Sequence, residues 1–122
     1  SLKGIGGQMN VCVYQTSGGK DITQPLLPET KAIVLLILEQ LQKDGFEFLY
    51  TKPVLKNSKP KKIKEIKRNN VRLLYFVADN TTYITNIISN KQKNKLEKQD
   101  KELAEQRMKR MLQMPLIYCK RV

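Results

Sequence analysis

Eight cations and a single acid, Glu65, stand between Lys56 and Arg72, in the stretch KNSKPKKIKEIKRNNVR. Ammonium and guanidinium groups at this density can grip a phosphate and stabilise negative charge that builds on it. The chain has no histidine. Its absence removes Ser-His nucleophiles, histidine general bases and histidine-ligated metals. No acidic cluster offers several carboxylates to Mg²⁺, so neither a metal nor another cofactor is expected. The proton carriers left are lysines, tyrosines and Glu65, and a lysine crowded by other cations can act near neutral pH. Such a set could activate a ribose 2′-hydroxyl against its adjacent phosphate, with Arg72 stabilising the developing charge. DNA lacks that hydroxyl, so the chemistry requires RNA.

Alternation decides where Arg72 points. In VRLLYFV, residues 71–77, one face carries Val71, Leu73, Tyr75 and Val77, and the other Arg72, Leu74 and Phe76. A strand apolar on both faces is central in its sheet. A buried, unpaired arginine would be prohibitively costly, so that end of the face is either an open groove or holds a carboxylate. Glu65 on the neighbouring strand can supply a cross-strand ion pair. The pattern weighs the two readings equally. Lys64 and Lys67 precede the proposed Asn69-Asn70 turn, across from Arg72. Lys91, Lys93 and Lys95 follow the next strand, either as part of the same site or as a solvated loop. A meander would bring both clusters to one end of the sheet.

The elements that must do this positioning are readable from local signals. Asn10–Gln15 is rich in strand formers and ends at Thr16-Ser17-Gly18-Gly19. A short helix is expected around Ile22–Leu27. A second, apolar on more than one side, starts near Pro28 and stops at Gly45. Phe46–Leu55 is mixed, and Pro53 argues against regular structure there. Strands follow at Ile63–Lys67, Val71–Val77 and Thr82–Ser89, with Asp79-Asn80 as the second turn. A helix spans Asn94–Leu112, stopped before Pro115, and its Leu103, Ala104, Arg107, Met108, Met111 and Leu112 recur at helical spacing. Leu116–Cys119 is an apolar tail with no assigned place. The fold class is α+β: a small antiparallel sheet, made of the N-terminal strand plus a three-stranded meander, with two N-terminal helices and one C-terminal helix on one face.

Charge is unevenly shared. Residues 1–50 carry four lysines and five acids, whereas residues 51–122 carry 19 basic residues and six acids. A net charge of +12 placed on one half points to a polyanion, most naturally nucleic acid. Cys12 and Cys119 are too far apart in sequence to suggest a disulfide framework or zinc motif, which fits a reducing cytoplasm. No apolar run approaches a membrane span, so no membrane partner is expected. Residues 1–8 read as a tag followed by a translated leader, because GIGGQ before Met9 is what a bacterial ribosome-binding site would encode in frame. Residues 9–122 are expected to form one domain.

The order of these pieces resembles the RelE/HigB-like toxins of bacterial type II toxin–antitoxin systems, in particular their phage-derived HigB-like branch. The resemblance runs from about Met9 to Leu112. It begins with VCVYQTSGGK and continues through the leucine-rich helix AIVLLILEQLQKDG. The segment KPVLKNSKPKKIKEIK stands where the family has an aromatic-Glu-Leu-Arg strand. VRLLYFV matches its Tyr-Arg-aliphatic-Leu-Tyr-Phe strand, NKQKNK its lysine-rich stretch, and KELAEQRMKRML its closing helix. Departures are Val71 for tyrosine, Lys64 for the aromatic residue, Asn86 for histidine and Asn90 for the first lysine of the lysine-rich stretch.

The resemblance implies a ribosome-associated endoribonuclease that cuts mRNA in the A site and is held inactive by a cognate antitoxin. By position, Arg72 matches the strand arginine, Lys67 the basic residue before it, and Lys91 the second lysine of the lysine-rich stretch. Glu65 would orient Lys67 or Arg72. Lys56, Lys59, Lys61, Lys62, Lys64, Lys93 and Lys95 would bind mRNA or ribosomal RNA. Two other outcomes remain open at this stage: a ParE-like toxin that blocks a target such as gyrase without cutting RNA, and an inactive phage remnant.

Overall fold

The computed structural model describes residues 8–89 and 96–122. The proposed leader, apart from Gln8, and Lys91, Lys93 and Lys95 lie outside the described residues. The strands are β1 (Asn10–Tyr14), β2 (Tyr50–Leu55), β3 (Ile63–Arg68), β4 (Val71–Ala78), β5 (Thr81–Ser89) and β6 (Cys119–Arg121). The helices are α1 (Pro28–Asp44), α2 (Lys98–Gln113) and the single turn α3 (Pro115–Tyr118). They form one six-stranded sheet of order β2-β3-β4-β5-β1-β6. The α+β class holds, with a sheet larger than expected and partly parallel.

Local chemistry explains the boundaries. Proline fits the first helical position of α1 because its missing N–H would have no partner there. Gly45 closes that helix at φ 63, its N–H bonded to Leu41 O at 3.1 Å, a backbone conformation that glycine adopts at little cost. Both expected turns form on residues that tolerate positive φ: Asn69 at 54°, Asp79 at 50° and Asn80 at 56°. With Ala78 opposite Thr81, Asp79-Asn80 is a two-residue hairpin turn whose twist suits the strands it joins.

Three expectations are corrected by the structure. Phe46–Leu55, where Pro53 argues against regular structure, contains β2. It is an edge strand, the place where a proline costs no ladder bond, and its pairing shifts between Pro53 and Leu55. Leu116–Cys119, which had no assigned place, falls in α3 and the first residue of β6, and β6 pairs antiparallel with β1. Ile22–Leu27 is not a helix but a run of turns, in which the Gln24 N–H bonds to Asp21 O at 3.2 Å and the Leu26 N–H to Thr23 O at 3.3 Å. β1 runs parallel to β5. α1 carries the chain to the far edge of the sheet, and the four-stranded walk back fixes the direction of β5 beside β1.

The helices also lie on both faces rather than one. Every residue of β4 from Val71 to Phe76 is buried, so each face needs a cover. On one side Val34, Ile37, Leu38 and Leu41 of α1 pack with Val11, Val13, Leu73, Tyr75 and Ile84. On the other, Ala104, Met108 and Met111 of α2 pack with Tyr14, Ile63, Leu74 and Phe76. A bulge sets the seat of α2. Pairing shifts between Leu74 and Tyr75, leaving Thr85 as the extra residue of β5. Its freed carbonyl accepts from Arg107 Nη1 of α2 at 2.9 Å, the kind of re-aiming a bulge provides.

The turn after β1 is tied to the C-terminus. The buried Asp21 carboxylate accepts from the Thr23 N–H at 2.8 Å and from the Thr23 hydroxyl, and pairs with Lys120 Nζ at 3.1 Å. Burial pushes the Asp21 pKa up, but the Thr23 hydrogen bonds and the Lys120 ammonium outweigh it and hold the carboxyl below its ordinary 3.8. A pKa lower in the folded than in the unfolded chain contributes stability that is present above the unfolded value and lost as pH falls through the folded one. Urea denaturation of the parent and Asp21→Asn should therefore give a stability difference that is constant near neutral pH and shrinks below about pH 4. A difference independent of pH would remove Asp21 from the acid response.

Candidate phosphate-binding cleft

Cross-strand register brings the charged residues of three strands onto one face. Lys67 lies directly opposite Arg72, and Glu65 opposite Leu74 and, on its other side, Lys52 of β2. Directly opposed residues project to the same side. Lys52, Glu65, Lys67 and Arg72 thus share the α2 face, near the Asn69-Asn70 turn. Lys64 does not join them. It is paired with Tyr75 and projects to the α1 side, as does Arg68, whose Nη1 donates to Gln40 of α1 at 3.2 Å.

Glu65 is the centre of the arrangement. Its side chain is fully buried (0% exposed), with Oε1 3.3 Å from Lys52 Nζ and Oε2 3.9 Å from Arg72 Nη1. Neither oxygen makes a hydrogen bond among the described residues. The Arg72 side chain is itself only 8% exposed. The ion pair weighed from sequence therefore exists, and so does the groove: a cavity of about 180 Å³ opens beside the pair, walled by Lys52, Val54, Glu65, Arg72, Leu96 and Lys101. Glu65 and Arg72 reach it from the meander, Lys52 from the edge strand and Lys101 from the first turns of α2. Lys67 is exposed beside Arg72 and outside that wall.

α2 is held over this end of the sheet by polar bonds as well as packing. Asn86 of β5, buried, donates through Nδ2 to Asp100 O at 3.2 Å. Asp100 Oδ2 in turn accepts the Glu97 N–H at 3.3 Å, so the start of the helix and the floor of the sheet are fixed together. Asn86 Oδ1 has no hydrogen-bond partner among the described residues.

The lysines of the preceding loop sit elsewhere. Lys56, Lys59, Lys61 and Lys62 are exposed on a loop organised by Ser58. Its hydroxyl accepts the Ile63 N–H at 3.0 Å and lies within donating distance of Leu55 O and Lys61 O, at 2.9 and 2.7 Å. That loop adjoins the start of β3, about 13 Å of strand from Lys67 at its end. It forms a second basic surface and not a wall of the cleft. Among the described residues no cluster of three or more cysteine, aspartate or glutamate side chains could hold a metal ion. No helix among them is long and apolar enough to cross a membrane.

A sequence profile described as "Phage derived protein Gp49-like (DUF891)" matches residues 25–109, which include α1, the whole meander and most of α2. The chain belongs to the phage-derived Gp49-like family. That family falls within the RelE/HigB-like toxin group. No curated protein and no solved structure matches the chain. The Gp49-like match contains every described residue that walls the cleft, whereas β1 and β6 lie outside it.

Sequence reasoning missed Lys52 and Lys101. Lys52 precedes Pro53, in a stretch that lacks a strand signal. Lys101 lies in a helix where a charged residue ordinarily means a solvated face. The only signal that could have found Lys52 is the pairing of β2 with β3, which local pattern does not carry.

Proposed function

We propose that this Gp49-like chain is the toxin of a toxin–antitoxin pair and that it cuts messenger RNA on the ribosome without a metal ion. The observation that carries this reading is Arg72, held by Glu65 at the floor of a cavity whose other charged walls are lysines. A phosphodiester seated there meets a planar donor fork suited to its oxygens. The adjacent 2′-oxygen attacks phosphorus and gives up its proton, while the 5′-oxygen leaves and takes one. The products are a 2′,3′-cyclic phosphate and a 5′-hydroxyl.

Arg72 stabilises the charge of the five-coordinate intermediate, and Glu65 fixes Arg72 in place. Lys67, exposed beside it, shares proton transfer and charge stabilisation with Lys91. Lys56, Lys59, Lys61 and Lys62 hold ribosomal RNA on the second basic surface, and Lys64, Lys93 and Lys95 add to RNA binding. A cognate antitoxin, by this reading, covers the basic site or the exposed side of α1, where Leu35 and Leu36 are about half exposed. The protein would act in the cytoplasm of its bacterial host.

One feature favours a second reading. Glu65 lies between Lys52 and Arg72 as an internal ion cluster, which could simply hold three strands together in a toxin that acts by binding alone. Brief induction followed by mapping of transcript 5′ ends separates the two. New 5′-hydroxyl ends within coding regions are the expected result. A DNA-damage response with uncut transcripts would establish the binding toxin instead.

A further inference from the structure

Lys52 and Lys101 approach the cleft from opposite walls, one on β2 and the other on α2. Lys52 Nζ lies 3.3 Å from Glu65, yet 49% of its side chain is open to solvent. An ammonium has three donors, so Lys52 can serve Glu65 and a second acceptor together. Glu65 itself is near two cations, Lys52 and Arg72. Among the described residues around the cavity, three cations thus face one carboxylate. A surplus of two positive charges beside a partly desolvated cavity is unfavourable by itself and draws in an anion.

We propose that Lys52 and Lys101 bind a phosphoryl group in this cleft. Arg72 holds the anion from the floor, Lys52 bridges it to Glu65, and Lys101 closes over it from the helix. Because one wall belongs to α2, the bound anion also ties that helix to the sheet. The proposal deepens the nuclease reading and rests on it for the source of the phosphate, an RNA phosphodiester. A free phosphate ion would satisfy the same donors.

The test titrates the full-length chain, Lys52→Ala, Lys101→Ala and the arginine forms Lys52→Arg and Lys101→Arg with two probes. One is a short RNA whose 2′-hydroxyls are methylated so that it cannot be cut, and the other is inorganic phosphate. Each alanine is expected to weaken RNA binding about tenfold, as for one charge-assisted hydrogen bond lost. It should also lower the slope of log affinity against log salt by about 0.7, the value for one phosphate contact on a single strand. Arginine should restore the slope.

Weakened binding of the RNA alone, or of both probes, supports the site with RNA as its ligand. Weakened binding of phosphate alone supports the site but overturns RNA as its source. Unchanged affinity and slope in both alanine variants, or a parent that binds neither probe, overturns the proposal. A Lys52 that only balances Glu65 would lower stability and leave the slope alone. Transcript mapping judges the nuclease reading separately, so a parent that cuts RNA while both alanine variants bind normally sinks this proposal only.

Discussion

Arg72→Lys is expected to slow transcript cleavage by about 10²–10³-fold, the usual cost of removing one preorganised donor from a developing oxyanion. The fold should survive, because lysine keeps a cation near Glu65. What is lost is the planar fork, which a point charge does not reproduce. Arg72→Ala is the weaker experiment, although it removes more. Glu65 is fully buried and Arg72 nearly so. Breaking a buried pair leaves an uncompensated carboxylate, at a cost of up to about 3–5 kcal/mol. Lys52 at the other oxygen and the 3.9 Å separation from Arg72 place the loss toward the low end. Inactivity of the alanine variant would therefore mix lost chemistry with lost folding. Cleavage rates measured beside a urea melt of the lysine variant separate them. A lysine variant that cuts as fast as the parent would take the phosphate clamp away from Arg72.

Phe76→Ala should cost about 3–5 kcal/mol of folding stability, a large share of the roughly 5–15 kcal/mol a domain possesses. Phe76 is fully buried in the cluster that seats Ala104, Met108 and Met111 of α2. Its ring stacks on Tyr83 across the β4–β5 pair, with centroids 4.7 Å apart. Alanine leaves a hole that the bulged, cross-bonded sheet cannot close, and α2 loses part of its seat. Lys101, carried by α2, then loses its fixed position over the cleft. Chemical denaturation gives the stability directly. Val77→Ala, one residue along but 37% exposed, is the control and should change stability much less. A loss below 1 kcal/mol in Phe76→Ala would mean that α2 is held chiefly by its polar bonds to Asn86 and Thr85.

Some of this was legible in order of residues alone, and the reason is local. Pro28 and Gly45 bracket α1 because one lacks a donor and the other tolerates a left-handed cap. Asn69, Asp79 and Asn80 mark the turns because their short polar side chains accept positive φ. Arg72 and Glu65 are recognisable as a pair of interest because a strand alternates and an arginine cannot be buried alone. The apolar character of both faces of β4 already called for two covers, although one-sided helix packing was expected.

Long-range pairing was not legible. β2 contains a proline that reads as a breaker until an edge position excuses it, and β6 is three residues with no pattern to detect. The parallel placement of β1 depends on where α1 delivers the chain, which no residue of β1 encodes. Lys64 and Lys67 look equivalent from Arg72 in the sequence, yet a spacing of three residues on a strand puts them on opposite faces.

The sequence by itself determined α1, the three meander strands and their turns, the cationic half of the chain and an arginine that needs either a groove or a carboxylate, since each follows from the preferences of residues close together. Tertiary structure alone decided which cations share a cavity. Lys52 and Lys101 come from the two sides of the meander, and only strand register and the seating of α2 bring them to Arg72. Charge can be counted along a chain, but a binding site depends on distances between groups that the chain itself does not hold together.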